Sequence, residues 1–307
     1  MMNDSADRGP RRAFGVALCA LCLLGAAGSP PAAALPPPDV KPVPAVAPNL
    51  SVEEVLRRNA RARGGPAAWR RITSMVQIGF IEHENDVPDR AARDARAQRI
   101  DPDAAQIVEF RLELQRPNKM RMELKYRGAT AIQAFDGTVG YTVQPGPGGA
   151  IARPYADAQN RAAASQQGLD GPLLGAAANG TVATFAGIED LGGRPAYKLN
   201  LALKNGATRH VWVDAQSFLD VKIDGTREIG GRIWPIETMF SGFRKVGEVE
   251  VPYEIRTAVD GVHTMERMRV LKVLLNVPLE ASLFTLPRAP AAAAGGSAPP
   301  RRGVPGP

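Results

Sequence analysis

Apolar and polar residues alternate along most of this chain. Val76, Ile78 and Phe80 are separated by Gln77 and Gly79; Val108, Phe110, Leu112 and Leu114 by Glu109, Arg111 and Glu113; Met120, Met122, Leu124 and Tyr126 by Arg121, Glu123 and Lys125. A period of two places the apolar members of each run on one side of an extended chain, so each run predicts a half-buried strand. Pro117-Asn118 predicts the turn between the last two runs, and Asp136-Gly137 a hairpin between Ile132–Phe135 and Tyr141–Val143. After an interruption the pattern resumes at Tyr197, Leu199, Leu201 and Leu203, turns at Asn205-Gly206 and returns through Val211 and Val213. Further runs cover Leu219–Ile223, Ile233–Phe240, Tyr253–Val259 and Met265–Val273, the last after an Asp260-Gly261 turn. Strands joined by tight turns pair antiparallel, which predicts a mainly β domain of about a dozen strands.

Helical signals are few. Ser51 as N-cap with Glu54 as its capping-box partner opens a helix that stops at Gly64-Gly65. Val52, Val55, Leu56 and Asn59 fall on one side of it, and Arg57, Arg58, Arg61 and Arg63 on the other. Pro66 opens a short second turn through Trp69 and Ile72. Ala156–Gln167 is compatible with a helix and leads into Leu169, Leu173 and Leu174, a segment suited to cover an edge or mouth of the sheet. Glu84–Ala105 is charged and has no apolar stripe, so it predicts a solvated excursion.

So little helix cannot cover one face of so many strands. The sheet must therefore curl into a barrel or half-barrel, half-open or incomplete, with the short helices as a lid. Its interior is either a packed core or a cavity walled by Leu, Ile, Val, Phe and Met, which suits acyl chains. The candidate lipid-binding positions are the apolar members of the clearest runs: Val76, Ile78, Phe80, Val108, Phe110, Leu112, Met120, Met122, Leu124, Tyr126, Tyr197, Leu199 and Leu201.

The ends add a destination. Arg8, Arg11 and Arg12 precede an apolar run from Ala13 to Leu24 and then small residues through Ala34, the pattern of a cleavable secretory signal peptide over 1–34, with cleavage expected between Ala27 and Leu35. The run is too short for a membrane span, and none is expected after its removal. Arg11-Arg12 leaves the twin-arginine route open beside the general one. A Pro/Ala linker follows at 35–49, the β domain spans 50–287 with its insertion at 84–105, and 288–307 is an Ala/Gly/Pro tail. Both cysteines, Cys19 and Cys22, lie in the leader, so the mature chain has no disulfide or thiol chemistry. Of the net charge of +7, residues 1–49 hold +1 and residues 288–307 hold +3, which leaves +3 on the domain. A surplus that small, interleaved with acids, argues against nucleic acid as a partner.

Motifs of chemistry are missing. His83, His210 and His263 stand in separate runs without a second ligand at metal spacing, and read as surface or rim residues. Ser241-Gly242 lacks the flanks of a nucleophile elbow, and Pro145–Gly149 has no lysine to meet a phosphate and reads as a flexible hairpin loop. Asp136, Asp214 and Asp260 all sit at turns, where aspartate is favoured structurally. No metal, cofactor or catalytic residue is expected.

The order of elements resembles the periplasmic outer-membrane lipoprotein carriers, the LolA/LolB-like or lipoprotein-sorting family. The stretches that carry the likeness are Arg63–Gly65, Arg116–Glu123 (RPNKMRME), Gln133–Tyr141 (QAFDGTVGY), Gly193–Leu199 (GRPAYKL), Trp212–Leu219 (WVDAQSFL), Val251–Ile255 (VPYEI) and Leu283–Pro287 (LFTLP). It covers about residues 50 to 287, while Glu84–Ala105 and the Pro-rich ends lie outside the family's pattern. The resemblance implies an open half-barrel with a helical lid that receives lipoprotein acyl chains or another lipid in the periplasm, without cofactor or catalysis. It also implies a buried arginine that holds the lid, a role the sequence assigns to no particular residue. Relatives include lipid-sensing regulators and glycolipid carriers. The expected function is therefore a soluble periplasmic lipid carrier or chaperone. The alternative is an envelope interaction or regulatory module that docks a partner, with envelope membrane proteins as a further partner class and the oligomeric state open.

Overall fold

In the computed structural model, residues 50–85, 107–146, 148–164, 168–176, 180–204, 206–229, 232–260 and 264–286 are described. The bulk of the Glu84–Ala105 excursion, His263 and the two ends lie outside them.

Helix α1 (Val52–Ala62) starts where the Ser51 hydroxyl accepts a hydrogen bond from the Glu54 N–H at 3.2 Å. The reciprocal half of the capping box is not made, because the Glu54 carboxylate pairs with Arg57 and Arg58 instead. Pro66 opens α2 (Pro66–Arg70) at a position whose N–H needs no partner. Strands follow as β1 (Ser74–Asn85), β2 (Val108–Gln115), β3 (Lys119–Tyr126), β4 (Ala129–Phe135), β5 (Gly140–Gly146) and β6 (Gly149–Pro154). After α3 (Asp157–Ala164) come β7 (Val182–Asp190), β8 (Pro195–Ala202), β9 (Thr208–Asp214), β10 (Asp220–Ile229) and β11 (Arg232–Ser241). A small ribbon, β12 (Arg244–Val246) with β13 (Val249–Val251), precedes β14 (Glu254–Val259) and β15 (Thr264–Leu275).

Thirteen strands form one antiparallel sheet in the order β6-β5-β4-β3-β2-β1-β15-β14-β11-β10-β9-β8-β7. The first strand pairs with the last in the middle, so each half runs outward as a meander and ends at an unpaired edge, β6 or β7. Of the barrel and the half-barrel, the molecule is the open one. The expected strands are present, and at the tight β4–β5 turn Asp136 accepts hydrogen bonds from the Thr138 and Val139 N–H groups, while Asn205 and Gly261 of two further expected turns lie outside the described residues. The stretch at Pro145–Gly149 is the hairpin connection its composition predicts, and it is tight, since β5 runs to Gly146 and β6 starts at Gly149.

Register fixes the faces. Leu114, Leu112, Phe110 and Val108 of β2 lie opposite Met75, Gln77, Gly79 and Ile81 of β1, and opposite Met120, Met122, Leu124 and Tyr126 of β3 in the same order. These share the inner face. Val76, Ile78 and Phe80 pair with Glu113, Arg111 and Glu109, so they lie on the outer face, which corrects their expected place beside Phe110 and Leu112. The most regular apolar alternation in β1 is its outer one. Its inner side carries Gln77 and Gly79 because β15 bulges there, and a Cβ on Gly79 would fall 1.9 Å from the Arg269 carbonyl oxygen and 2.9 Å from the Phe110 ring.

Val76 is nonetheless fully buried. The chain after β15 returns over the outer face. The Ser74 hydroxyl donates to the Val277 carbonyl at 2.6 Å, and the Tyr141 hydroxyl to that of Leu283 at 3.2 Å. The Ala281–Phe284 turn buries Phe284 completely, with the Lys119 ammonium 5.7 Å above its ring. Beside this strap Glu113 accepts from Arg111 and Arg121, so a buried carboxylate on this face is neutralised where it sits.

Phe284→Ala removes the one aromatic side chain of the strap. It should lower unfolding stability by about 3–5 kcal/mol in a guanidinium titration; a loss below about 1 kcal/mol would show that the strap does not belong to the cooperative core.

Candidate functional site

The inner face carries two apolar clusters. In the first, Met75, Ile81, Phe110, Leu112, Met120, Met122 and Leu124 from the sheet pack beneath Trp69 and Ile72, Leu169 and Leu174, and Val249 and Val251 of β13. In the second, Tyr197, Leu199, Leu201, Val211 and Val213 pack beneath Val55 of α1 and Leu173, with Phe218 stacked on Tyr197 at 6.1 Å. Ten of the expected lining residues are therefore on this face: Val108, Phe110, Leu112, Met120, Met122 and Leu124 in the first group, Tyr197, Leu199 and Leu201 in the second, and Tyr126 beside them by its phase in β3. The segment Gly168–Ala176 joins the groups, since Leu169 and Leu174 enter the first and Leu173 the second. Helix α3 (Asp157–Ala164) precedes this segment, and Leu169, Leu173 and Leu174 enter the cover, as the sequence predicts.

None of the cover over the first cluster, apart from the separate β12–β13 ribbon, is built of strands; it is held to the sheet by polar side chains. Arg116, just past β2, donates from Nε to the Ile72 carbonyl at 2.7 Å and from Nη2 to the Trp69 carbonyl at 2.9 Å. Its two Nη groups also grip the Asp170 carboxylate at 2.7 and 2.5 Å, a paired fork geometry. That hydrogen bonding raises the Arg116 pKa above its ordinary value, against the effect of burial. Arg63 meets the same segment from the other side: Nη1 donates to the Asp170 carbonyl at 3.0 Å, and its guanidinium lies 4.5 Å over the Trp69 ring. Its Nε stands 3.7 Å from the Asp220 carboxylate, and Trp69 Nε1 donates to its carbonyl at 2.8 Å. Asn59, one turn earlier, donates to the Phe218 carbonyl at 2.9 Å.

The expectation that Arg63 rides the solvent side of α1 is thus corrected: only 6% of it is exposed. It stands at the C-cap, where the helix no longer sets its direction, and Trp69 with two acidic residues' oxygens makes a place for its cation. Close approach is demanding here. Gly171 has φ +69°, and a Cβ on it would fall 2.8 Å from Arg63 Nη1. Arg63, Arg116 and Asp170 went unassigned in the sequence, although Arg63 and Arg116 both open stretches that carry the family resemblance.

The polar residues read as structural behave so. His210 is half-exposed and bound by both its N–H and Nδ1 to Asp224. Asp214 closes the turn after β9 by accepting from the N–H groups of Gln216 and Ser217 and from the Ser217 hydroxyl. No trio of metal-capable side chains comes together among the described residues. The inner face does hold polar atoms without hydrogen-bond partners: the Oε1 atoms of Gln77 and Gln133 and the hydroxyls of Tyr126 and Tyr197.

An open antiparallel sheet with an apolar inner face under a short helical cover is the class this geometry defines. No family model matches the chain, and no curated protein does. Among solved structures, similar chains include an outer membrane lipoprotein-sorting protein domain from Vibrio parahaemolyticus, at 9% identity and TM-score 0.46 over 75% of this chain and 94% of that one. A DUF1329 family protein from Desulfovibrio piger is similar at 10% identity and TM-score 0.48, over 76% and 97% of the two chains. A LolA superfamily protein from Nitrosomonas europaea is similar at 12% identity and TM-score 0.46, over 77% and 98%. The similar solved chains thus include proteins of the LolA and lipoprotein-sorting kind.

Asp170→Asn keeps the shape of the junction and removes its charge. We expect a stability loss of about 1–3 kcal/mol, and faster amide hydrogen exchange confined to α2 and Gly168–Ala176. Unchanged exchange there would mean that apolar packing alone holds the cover.

Proposed function

We propose that this protein is a soluble carrier or chaperone of the bacterial periplasm, exported by its leader, that binds acyl chains of lipoproteins or another lipid on the inner face of its sheet. One observation carries the reading: an apolar inner face drawn from both halves of the sheet is roofed mainly by short helices and turns tied down by a few side-chain bonds, not by sheet pairing. A hydrophobic core meant to stay closed gains nothing from a roof that can lift. A guest that brings its own apolar surface can replace the roof's contacts and leave the ladder of the sheet intact. Among the described residues no helix is long and apolar enough to cross a membrane. The chemistry of the face is that of binding, with no catalytic role assigned to any residue.

A second reading, an envelope interaction or regulatory module, is favoured by the β7 edge. That strand is unpaired on one side, with Val182 61% and Phe185 45% exposed, so an extended partner segment could add to it.

Native mass spectrometry of protein purified from the periplasm tests the carrier reading. Recovery without any lipid adduct, together with no uptake of a fluorescent fatty acid, would sink it. Site variants then test the face. Met122→Lys, on the inner side, should reduce fatty-acid uptake at least tenfold in protein shown to be folded, whereas Arg111→Ala, on the outer side, should change it less than twofold. Equal effects would mean that the cargo lies elsewhere.

A further inference from the structure

Arg209 stands on the inner face of β9, between the positions of the second apolar cluster. It pairs across the sheet with Leu201, and the next inner residue of its own strand is Val211; both are fully buried. Arg209 is itself only 8% exposed. Among the described residues it has no hydrogen-bond or ion-pair partner. The nearest acid that acts on it, Asp224, is a neighbour of Ile223 and belongs to the outer face, where both its oxygens are taken by His210. Glu266, on the inner face four strands away, has a partner of its own. Burial pushes the Arg209 pKa down, with Asp224 opposing, but a guanidinium remains a cation at neutral pH.

A largely buried guanidinium that makes no ion pair is costly to a fold, and arginines this buried are ordinarily paired. Elsewhere in this molecule that rule holds: Arg63, Arg116 and Arg121 each have an oxygen partner. Arg209 departs from it on the face that carries the proposed cargo site. On β10 the ladder with β9 ends at Ile223 opposite Val211, and the next residue of that phase is Gly225, which has no side chain. The fork of a guanidinium matches a carboxylate or phosphate through two hydrogen bonds, which an ammonium cannot reproduce.

We propose that Arg209 binds the anionic headgroup, a carboxylate or a phosphate monoester, of an amphiphile whose hydrocarbon chain lies against Leu201 and Val211. This rests on the carrier reading above and adds to it the charge and end-on orientation of the cargo. The four inner-face atoms of Gln77, Gln133, Tyr126 and Tyr197 that lack partners fit a guest with polar as well as apolar parts.

The test uses the full chain and three amphiphiles of one hydrocarbon chain, namely oleate, oleyl phosphate and oleyl alcohol, each measured by displacement of the neutral probe N-phenyl-1-naphthylamine. At least one anionic form should bind about tenfold or more tightly than the alcohol, and the tighter of the two identifies carboxylate or phosphate as the recognised group. Arg209→Met should erase that preference while retaining the alcohol, and Arg209→Lys should keep the charge but lose severalfold through loss of the fork. Equal binding of alcohol and anions by the unaltered protein overturns the assignment and leaves the carrier reading standing. So does a preference that survives in Arg209→Met or, should that variant not fold, one unchanged in Arg209→Lys. If no amphiphile displaces the probe, the carrier reading falls and the headgroup site with it.

Discussion

An antiparallel sheet of thirteen strands with one apolar side has more surface to remove from water than the three short α-helices among the described residues can cover. Everything else in the molecule answers that shortage. The first and last strands meet in the middle, so that both halves present the same inner face to whatever lies over it. Several pieces of chain outside the sheet serve as roofing: α1 over one group, α2 and the β12–β13 ribbon over the other, and Gly168–Ala176 across both. The outer face, more polar, is closed by ion pairs such as Glu113 with Arg121 and by the strap that buries Phe284.

Short roofing elements cannot be rigid on their own, because a single helical turn closes too few hydrogen bonds to repay its ordering. They are fixed from outside, by charged side chains reaching to main-chain carbonyls. Arg116 reaches three places at once: Trp69 within α2, Ile72 two residues past its end, and Asp170. Arg63 does the same from α1. Since the Arg116–Asp170 pair is polar and partly exposed, its loss is tolerable in water in a way that loss of a strand pairing would not be. Opening is thereby confined to the roof.

The fold was legible where residues repeat with period two on a half-buried strand: β2, β3 and β8 show it, β9 shows it in Val211 and Val213, and the tight turns between strands gave the antiparallel order. It was illegible where no face is buried, as in β6, exposed throughout, or where a bulge breaks the period, as in β7 between Phe185 and Gly187. In β1 the period was correct and the phase was not, since phase is set by the partner strand and by a bulge that only glycine admits. The roof's apolar residues could be seen, whereas its fastenings could not. Arg63 and Asp170 are 107 positions apart, and a cation's partner at such separation has no local signal. Arg209 lies in phase with Val211 and Val213, so the period alone places it inward, but nothing local marks it as lacking an ion-pair partner.

Gly168–Ala176 enters both apolar groups with leucines spaced four and one apart, with Asp170 fastened between them. The two halves of the inner face therefore share one shutter. A guest long enough to touch only one half must still dislodge the covering of the other, and gains nothing there in exchange. Occupancy should thus rise steeply beyond a threshold of molecular length instead of in step with each added methylene, so that the molecule ignores short fatty compounds however abundant and responds to long ones at low concentration.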